Sequence, residues 1–134
     1  MLDTGRVFSG SLTRRYRAYS AANVRFLKAM GYDAVGLNVR DFAYGRDFVR
    51  DTLAEAGIPL LACNLVDEQG EPFAEPYTVK KIDGKQVAII GVFSKDDART
   101  PAPAGSLAGL GSNYEQALHG LKVLDPIETT NDVI

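Results

Sequence analysis

The chain has 134 residues, of which 46% are hydrophobic and 24% charged, and its formal net charge is -2. This length and apolar content suit one compact domain, residues 1–134, and exclude a disordered tail. The near balance of charge gives no broad attraction to nucleic acid or to an anionic membrane, so we expect neither partner. The longest apolar runs have only the length of a strand, so we expect no bilayer-spanning segment.

The opening residues, up to about Ala18, are rich in Gly, Ser and Thr and then become basic, which predicts a loop leading into a helix. The basic cluster combines arginines and tyrosines: Arg14, Arg15, Tyr16, Arg17 and Tyr19. Such a cluster can bind an anion, or a base by stacking. We favour the other interpretation, a solvated helix start, because charged runs usually face water.

The next segment has the pattern of an amphipathic helix, with Val24, Leu27 and Met30 on one stripe. Ser20 is the predicted N-cap. Gly31 is expected to stop this helix, because glycine can adopt the left-handed conformation that closes one. The apolar residues from Asp33 to about Val39 then predict a strand that is covered on both faces.

Polar side chains follow this strand at what we call the crest: Asn38, Arg40 and Asp41. In α/β units, ligands bind where the strands end. The crest is therefore the first candidate site for function.

A second strand, helix, strand unit follows. The spacing of the apolar residues predicts a helix from Arg46 to Ala56, ended by Gly57, and a strand from Leu60 to Asn64. A parallel, right-handed crossover is expected between the two strands. Cys63 is the only cysteine, so an internal disulfide is excluded, and in this apolar run its thiol is expected to serve as core packing.

The second half of the chain is predicted to contain a β-hairpin. Asp83 and Gly84 separate two strand-like runs, Tyr77 to Ile82 and Gln86 to Phe93, and Asp-Gly is a strong signal for a tight turn. Together with the earlier strands, this hairpin predicts a mixed sheet with helices packed on it, in an α/β fold.

The remaining residues are less regular. The segment 94–113 contains Pro101, Pro103 and many small residues, and we expect a long loop. A short helix is predicted from Tyr114 to Leu121, an extended piece at residues 123–126 and the first turn of a helix at residues 129–134. His119, the only histidine, is expected to lie at a helix end, where a positive charge suits the dipole.

Several short motifs together resemble the beginning of the 5′-nucleotidase-type (calcineurin-like) metallophosphoesterases. They cover about residues 3–93 in the order and spacing of that family. The matching runs are Asp3-Thr4-Gly5, Gly10-Ser11-Leu12-Thr13, Ala29-Met30-Gly31-Tyr32-Asp33-Ala34-Val35, Phe42-Ala43-Tyr44-Gly45, Leu53-Ala54-Glu55-Ala56-Gly57-Ile58-Pro59-Leu60-Leu61-Ala62-Cys63-Asn64-Leu65, Pro76-Tyr77-Thr78-Val79 and Val87-Ala88-Ile89-Ile90-Gly91-Val92. The resemblance implies part of a metallophosphoesterase sandwich, with both ends of the family domain missing.

The resemblance also implies a site with two divalent metals, and this chain departs from the family at the ligand positions. Arg6 takes the place of the carboxylate that bridges the metals, Val39 that of an asparagine ligand, Arg40 that of a histidine and Asp41 that of its acidic partner. Shifting the alignment by one residue puts Asn38 at the asparagine position, but no histidine follows it. Two cations need several carboxylate and imidazole ligands, so we expect this chain to hold no metal cofactor.

Three functional hypotheses follow from the resemblance. The first is a fragment of a phosphoester hydrolase of nucleotide catabolism that is inactive as given. The second is a non-catalytic anion-binding, nucleotide-binding or assembly module, in which Arg6 and Arg40 hold a small phosphate- or sulfate-containing ligand. The alternative for these arginines is pairing with Asp3 and Asp41 on the surface. The third is a relative of the sulfur-ester hydrolases. The resemblance alone suggests a periplasmic or cell-surface origin.

Overall fold

The computed structural model describes residues 1–5, 7–8, 14–94 and 118–134. Seven strands and three helices follow one another along the described chain, with a 3₁₀ helix after the second strand. Their bounds are β1 Leu2–Asp3, α1 Arg14–Ala29, β2 Ala34–Gly36, the 3₁₀ helix Val39–Tyr44, α2 Arg46–Ala56, β3 Leu60–Leu61, β4 Leu65–Asp67, β5 Tyr77–Ile82, β6 Lys85–Ile90, β7 Leu121–Val123 and α3 Pro126–Val133.

Strands β1, β2 and β3 form a parallel sheet in that order, with Leu2 opposite Ala34 and Val35 opposite Leu60. Helices α1 and α2 connect these strands and pack against each other. The predicted bounds of α2 are confirmed, and Gly57 ends it in the left-handed conformation at φ 63°. The sequence also correctly predicted the parallel pairing of the strands on either side of α2.

Helix α1 begins six residues before the predicted N-cap. Ser20 lies inside the helix and is fully buried, so the prediction that it caps the helix is wrong. The residues from Arg14 to Tyr19 contain no Gly or Pro, and arginine is a good helix former, so the helix extends back through the basic cluster. Helix α1 places the fully buried Val24 in the core beside Val49 and Leu53 of α2.

Strands β2 and β3 are shorter than predicted, and an asparagine lies two residues after β2 and three residues after β3. After β2, the side chain of Asn38 caps the 3₁₀ helix, which takes the backbone out of the sheet. After β3, the buried side chain of Asn64 accepts a hydrogen bond from the Phe93 amide at 2.7 Å and donates to the Phe93 carbonyl at 2.9 Å. It also donates to the Leu124 carbonyl at 3.2 Å. Asn64 therefore holds together three segments that are distant in sequence.

The predicted hairpin is confirmed. Strands β5 and β6 pair antiparallel from Tyr77 opposite Ile90 to Ile82 opposite Lys85. Asp83 and Gly84 both have positive φ, 50° and 79°, as a tight type I′ turn requires. Backbone hydrogen bonds join the base of the hairpin to the chain after β3, including Cys63 N–H to the Gly91 carbonyl at 2.8 Å.

The described strands fall into three ladders, the parallel sheet, the hairpin and an antiparallel pair of β4 with β7. An isolated parallel bridge between Leu61 and Glu75 links β3 to the segment that precedes the hairpin. The parallel part and the antiparallel part of the predicted mixed sheet are thus joined by short links. Cys63 is buried, as predicted.

The end of the chain differs from the prediction. We expected an extended piece at residues 123–126, and the structure has β7 slightly earlier, at Leu121–Val123. We expected the first turn of a helix at residues 129–134, and the helix α3 already begins at Pro126. The Asp125 side chain accepts hydrogen bonds from the amides of Ile127 and Glu128, and proline at the first helical position has its φ preset. The predicted loop 94–113, apart from Ser94, and residues 114–117 of the predicted helix lie outside the described residues. Residues 118–120 form a turn and Leu121 begins β7, so the predicted helix is wrong at its end.

A charge cluster links the hairpin to the start of β2. The Asp33 carboxylate accepts a hydrogen bond from the terminal ammonium of Met1 at 2.8 Å and forms an ion pair with Lys80 of β5. These cations, Lys80 first, lower the pKa of Asp33 to about 2 from an ordinary value of 3.8. Because the carboxylate is charged at neutral pH, the cluster stabilises the fold there.

We expect Asp33→Asn to lower the melting temperature at pH 7 and to lose this effect in acid. A carboxyl group with a lowered pKa contributes stability above its unfolded pKa of 3.8, and this contribution disappears as the pH falls toward 2. Thermal unfolding followed by circular dichroism at pH 7, 4 and 2.5 measures the difference. The control is Asp51→Asn, which removes a more exposed charge whose ion pair is with the adjacent Arg50. Equal effects of both variants at pH 7 would contradict the prediction.

Candidate functional site: the crest after the second strand

The crest lies where the chain leaves β2 and enters the 3₁₀ helix. The Asn38 side chain accepts a hydrogen bond from the Arg40 amide at 3.0 Å, and one oxygen of Asp41 accepts from the Asn38 amide at 2.9 Å. Asn38 and Asp41 thus form a capping box at the first turn of this helix. The sequence correctly indicated that these polar residues lie together at a strand end.

The second oxygen of Asp41 reaches the segment that follows β1. It accepts a hydrogen bond from the Phe8 amide at 3.0 Å, across a separation of 33 residues. The Asp41 side chain is 0% exposed. It therefore joins the ends of two neighbouring parallel strands through backbone hydrogen bonds.

The same two chain segments approach each other closely at Gly5. A Cβ atom at this position would lie 2.8 Å from the Asn38 nitrogen, and the φ of Gly5 is +109°. Glycine is therefore required here both for space and for backbone conformation. The Asp3 carboxylate accepts a hydrogen bond from the Gly5 amide at 2.8 Å, so this carboxylate also serves the local turn.

The structure describes one of the two candidate anion-binding residues. Arg40 lies at the crest with a half-buried side chain, and Arg6 lies outside the described residues. Asp41 is not the surface group that the pairing alternative for Arg40 requires, because it is fully buried. An anion site formed by Arg6 and Arg40 stays a prediction.

Arg17 of the basic cluster packs on an aromatic group beside the crest. Its guanidinium carbon lies 4.7 Å from the ring centroid of Phe48 in a cation–π arrangement. The Phe48 ring also contacts Tyr44, with centroids 5.1 Å apart, and Phe8, at 5.5 Å. Arg17 therefore contributes to packing, a role that the sequence analysis did not predict.

The described residues do not fit a dinuclear metal centre. Both oxygens of the crest carboxylate Asp41 already accept backbone hydrogen bonds, and the Asn38 oxygen caps Arg40. In the parts of the chain that the structure describes, no group of three or more His, Cys, Asp or Glu side chains could hold a metal ion. His119 is exposed in the turn before β7.

Comparisons with known proteins give the chain its relatives, although no family model matches it. The chain is 29% identical to a 5′-nucleotidase of Diplobatis ommata over 116 residues, which cover 80% of this chain and 19% of that protein. It is 26% identical to the trifunctional nucleotide phosphoesterase YfkN of Bacillus subtilis over an alignment of 169 positions, which covers all of this chain and 11% of that protein.

The chain is related to the 5′-nucleotidase-type metallophosphoesterases. Solved structures show the same fold. The structure superposes on the calcineurin-like phosphoesterase YfkN of B. subtilis with a TM-score of 0.71, at 21% identity, over 99% of this chain and 42% of that one. The sulfate thiohydrolase SoxB of Thermus thermophilus matches with a TM-score of 0.72, at 20% identity, over 98% of this chain and 22% of that one.

The α/β metallophosphoesterase fold predicted from the sequence is thus confirmed. This metallophosphoesterase relative spans about a fifth of the length of the Diplobatis enzyme and about a tenth of the curated YfkN protein. No helix among the described residues is long and apolar enough to cross a membrane.

Proposed function

We propose that this metallophosphoesterase relative does not hydrolyse phosphoesters by itself and that its crest has a structural role. The observation that carries the proposal is the bonding of Asp41. Its two oxygens accept hydrogen bonds from the Phe8 and Asn38 amides, and its side chain is fully buried. These two hydrogen bonds tie the carboxylate to the backbone of two separate chain segments, which gives this buried group a structural role.

Charge at the crest also opposes metal binding. The half-buried Arg40 follows Asn38 in the crest, and the resemblance to the family assigns Arg6 to another ligand position. Cationic side chains repel divalent metal ions, whereas the ligands of a dinuclear site must offset the charge of the two metals. The nucleotide phosphoesterase activity named for the longer relatives would therefore need residues other than those that the structure describes.

We expect the purified chain to retain no stoichiometric metal and to release no phosphate from p-nitrophenyl phosphate. Elemental analysis after dialysis against Mn²⁺ or Zn²⁺, with thermal unfolding in the same buffers, tests metal binding without reference to activity. A 5′-nucleotidase with an intact metal site is the positive control in every assay. Two tightly bound metals for each chain, or phosphate turnover above the blank, would contradict the proposal.

Anion binding at the crest is a second candidate function. The observation that favours it is the position of Arg40, whose amide is fixed by Asn38 while its side chain is half-buried at a strand end. A guanidinium binds phosphate or sulfate through paired hydrogen bonds. Titration calorimetry with these two anions separates the candidates, because a structural crest gives no saturable heat. A sulfur-ester relationship draws support only from the shared fold of SoxB.

The compartment is also a proposal. One solved relative is named a 5′-nucleotidase precursor, from T. thermophilus, and the chain is 24% identical to it with a TM-score of 0.69. This name supports the periplasmic or cell-surface origin that the resemblance suggested.

A further inference from the structure

The side chain of Asn64 takes the place of a backbone partner for the chain that leaves β6. Its Oδ1 accepts a hydrogen bond from the Phe93 amide at 2.7 Å, and its Nδ2 donates to the Phe93 carbonyl at 2.9 Å. One side chain thus bonds both polar backbone groups of Phe93, as a residue of a paired strand would. Asn64 is fully buried, so water does not compete for these hydrogen bonds.

The same amide group also bonds to the end of β7. Strands β4 and β7 pair with Leu65 opposite Val123. One residue further along, the Leu124 amide donates to the Asn64 carbonyl at 2.8 Å, and Nδ2 of Asn64 donates to the Leu124 carbonyl at 3.2 Å. We call Asn64, Phe93 and Leu124 the asparagine clamp. It fixes Phe93 and the end of β7 to one buried group.

The ring of Phe93 connects the asparagine clamp to the crest. This ring is fully buried and packs edge-on against the ring of Phe42, with centroids 6.1 Å apart and an interplanar angle of 77°. Edge-to-face packing is specific in its geometry, so each ring limits the position of the other. Phe42 follows Asp41 directly in the 3₁₀ helix. A displacement of Phe93 therefore acts on the crest.

The 3₁₀ helix depends on such tertiary support. It has six residues, Val39–Tyr44, whereas most 3₁₀ helices are limited to three or four residues by their poorer hydrogen-bond geometry. Two of its supports are the hydrogen bonds of Asp41 with the Phe8 and Asn38 amides. A third is the packing of Phe42 against Phe93.

We propose that Asn64 couples the docking of β7 to the crest, through the rings of Phe93 and Phe42. While Asn64 bonds to Phe93 and Leu124, Phe42 is held in place and the first turn of the 3₁₀ helix stays closed. Loss of these bonds releases Phe93, and this turn opens more often. Asn64 is thus a positioning residue for the crest, although it does not belong to it.

The effect is local, because other contacts hold the neighbouring elements. The Cys63 amide donates to the Gly91 carbonyl at 2.8 Å, so the base of the hairpin stays attached when the Asn64 side chain is removed. The ladder of β4 with β7 also has its own three residue pairs. The coupling holds whether the crest is purely structural or binds an anion, since both roles need the same closed turn.

Native-state hydrogen exchange of the full chain, followed by NMR, measures this coupling, because a protected amide exchanges only when its own hydrogen bond opens. The crest amides are those of Phe8 and Asn38, which both donate to Asp41. The reference amides are those of Val35 and Ile58, which donate to backbone carbonyls at the ends of α2 and β3.

In Asn64→Ala, the crest amides should exchange about tenfold faster relative to the reference amides, because buried hydrogen bonds of the clamp are lost. The Leu124 amide should also exchange faster. Phe93→Leu removes the ring contact with Phe42 and keeps the hydrogen bonds of Asn64. It should therefore speed exchange of the crest amides and leave that of the Leu124 amide unchanged relative to the reference amides.

Thr130→Val is the matched control. The Thr130 hydroxyl lies 3.8 Å from the thiol of Cys63, the residue before Asn64, and valine has nearly the shape of threonine. This variant changes a contact beside the clamp and should leave the crest amides as they are in the parent chain.

A side chain that only stabilises the fold gives a different result, because global unfolding exposes all amides together. Equal acceleration of the crest and reference amides in Asn64→Ala overturns the proposal. So do crest amides that keep the parent rate in Phe93→Leu. Should Asn64→Ala fail to fold, the crest amides of Phe93→Leu decide the question.

Discussion

Replacing Gly91 by alanine is expected to destabilise the fold by about 3 kcal/mol or more. Gly91 follows β6 and lies against the end of β3, where a Cβ atom would come within 2.4 Å of the carbonyl carbon, oxygen and Cβ of Leu61. Two of these atoms belong to the backbone, so the clash cannot be relieved by rotating a side chain. Urea unfolding followed by circular dichroism measures the loss as a lower midpoint with an unchanged slope.

The matched control is Gly36→Ala. Gly36 lies in β2, and a Cβ atom there would meet its nearest neighbours at 3.5 to 3.6 Å, which is ordinary van der Waals contact. Alanine also loses less conformational entropy than glycine on folding. This variant should keep the unfolding midpoint of the parent chain. If both variants unfolded at the same midpoint, the close approach of the hairpin base to β3 would not be the cause of any destabilisation in Gly91→Ala.

Asp41→Ala is the second substitution with a large expected effect, and it is the sharpest test of the structural role of the crest. Removing the side chain leaves the Phe8 and Asn38 amides without their acceptor at a fully buried position. A buried donor left unsatisfied costs about 1 to 3 kcal/mol, so two of them should cost about 2 to 6 kcal/mol. The free energy of unfolding in urea gives the value.

Asp67→Ala is its control, because Asp67 also accepts two backbone hydrogen bonds with one side chain. The donors are the amides of Gln69 and Glu71, each at 2.9 Å, in an exposed turn. Water can replace the lost acceptor there, so we expect a loss below about 1 kcal/mol. A large loss in Asp67→Ala and a small one in Asp41→Ala would show that the crest carboxylate does not hold the two strand ends together.

The Asp41 experiment also bears on function. If the carboxylate were a metal ligand, its removal would abolish metal binding and leave the metal-free chain as stable as before or more so. If it is a structural group, its removal lowers stability whether or not metal is present. Measuring unfolding of both proteins with a chelator and with Mn²⁺ distinguishes these two roles by stability alone.

Local patterns in the sequence predicted a large part of the fold. The bounds of α2 follow from apolar residues at helical spacing and from Gly57, which ends the helix at φ 63°. The hairpin follows from Asp83 and Gly84, both of which adopt the positive φ that its turn needs. These features depend on residues that are neighbours along the chain, so the sequence could predict them.

The candidate site was predicted only in part. The sequence placed Asn38, Arg40 and Asp41 together at the end of a strand, since their positions follow directly from the strand that precedes them. It did not indicate that a backbone amide 33 residues away would occupy one Asp41 oxygen. Whether a carboxylate at a strand end binds a ligand or the backbone depends on which chain segment reaches it.

The sequence by itself determined the order of α1, β2, α2, β3 and the hairpin, the family resemblance and the departures from the family's ligand pattern, whereas it predicted a loop where β1 lies. Only the tertiary structure decided that Ser20 is buried in a helix, that Asn64 bonds to both Phe93 and Leu124, and that Gly91 lies against Leu61. The physical reason is the range of the interactions. Helical periodicity and turn chemistry act over a few residues, whereas burial and close backbone approach depend on segments that meet only in the folded chain.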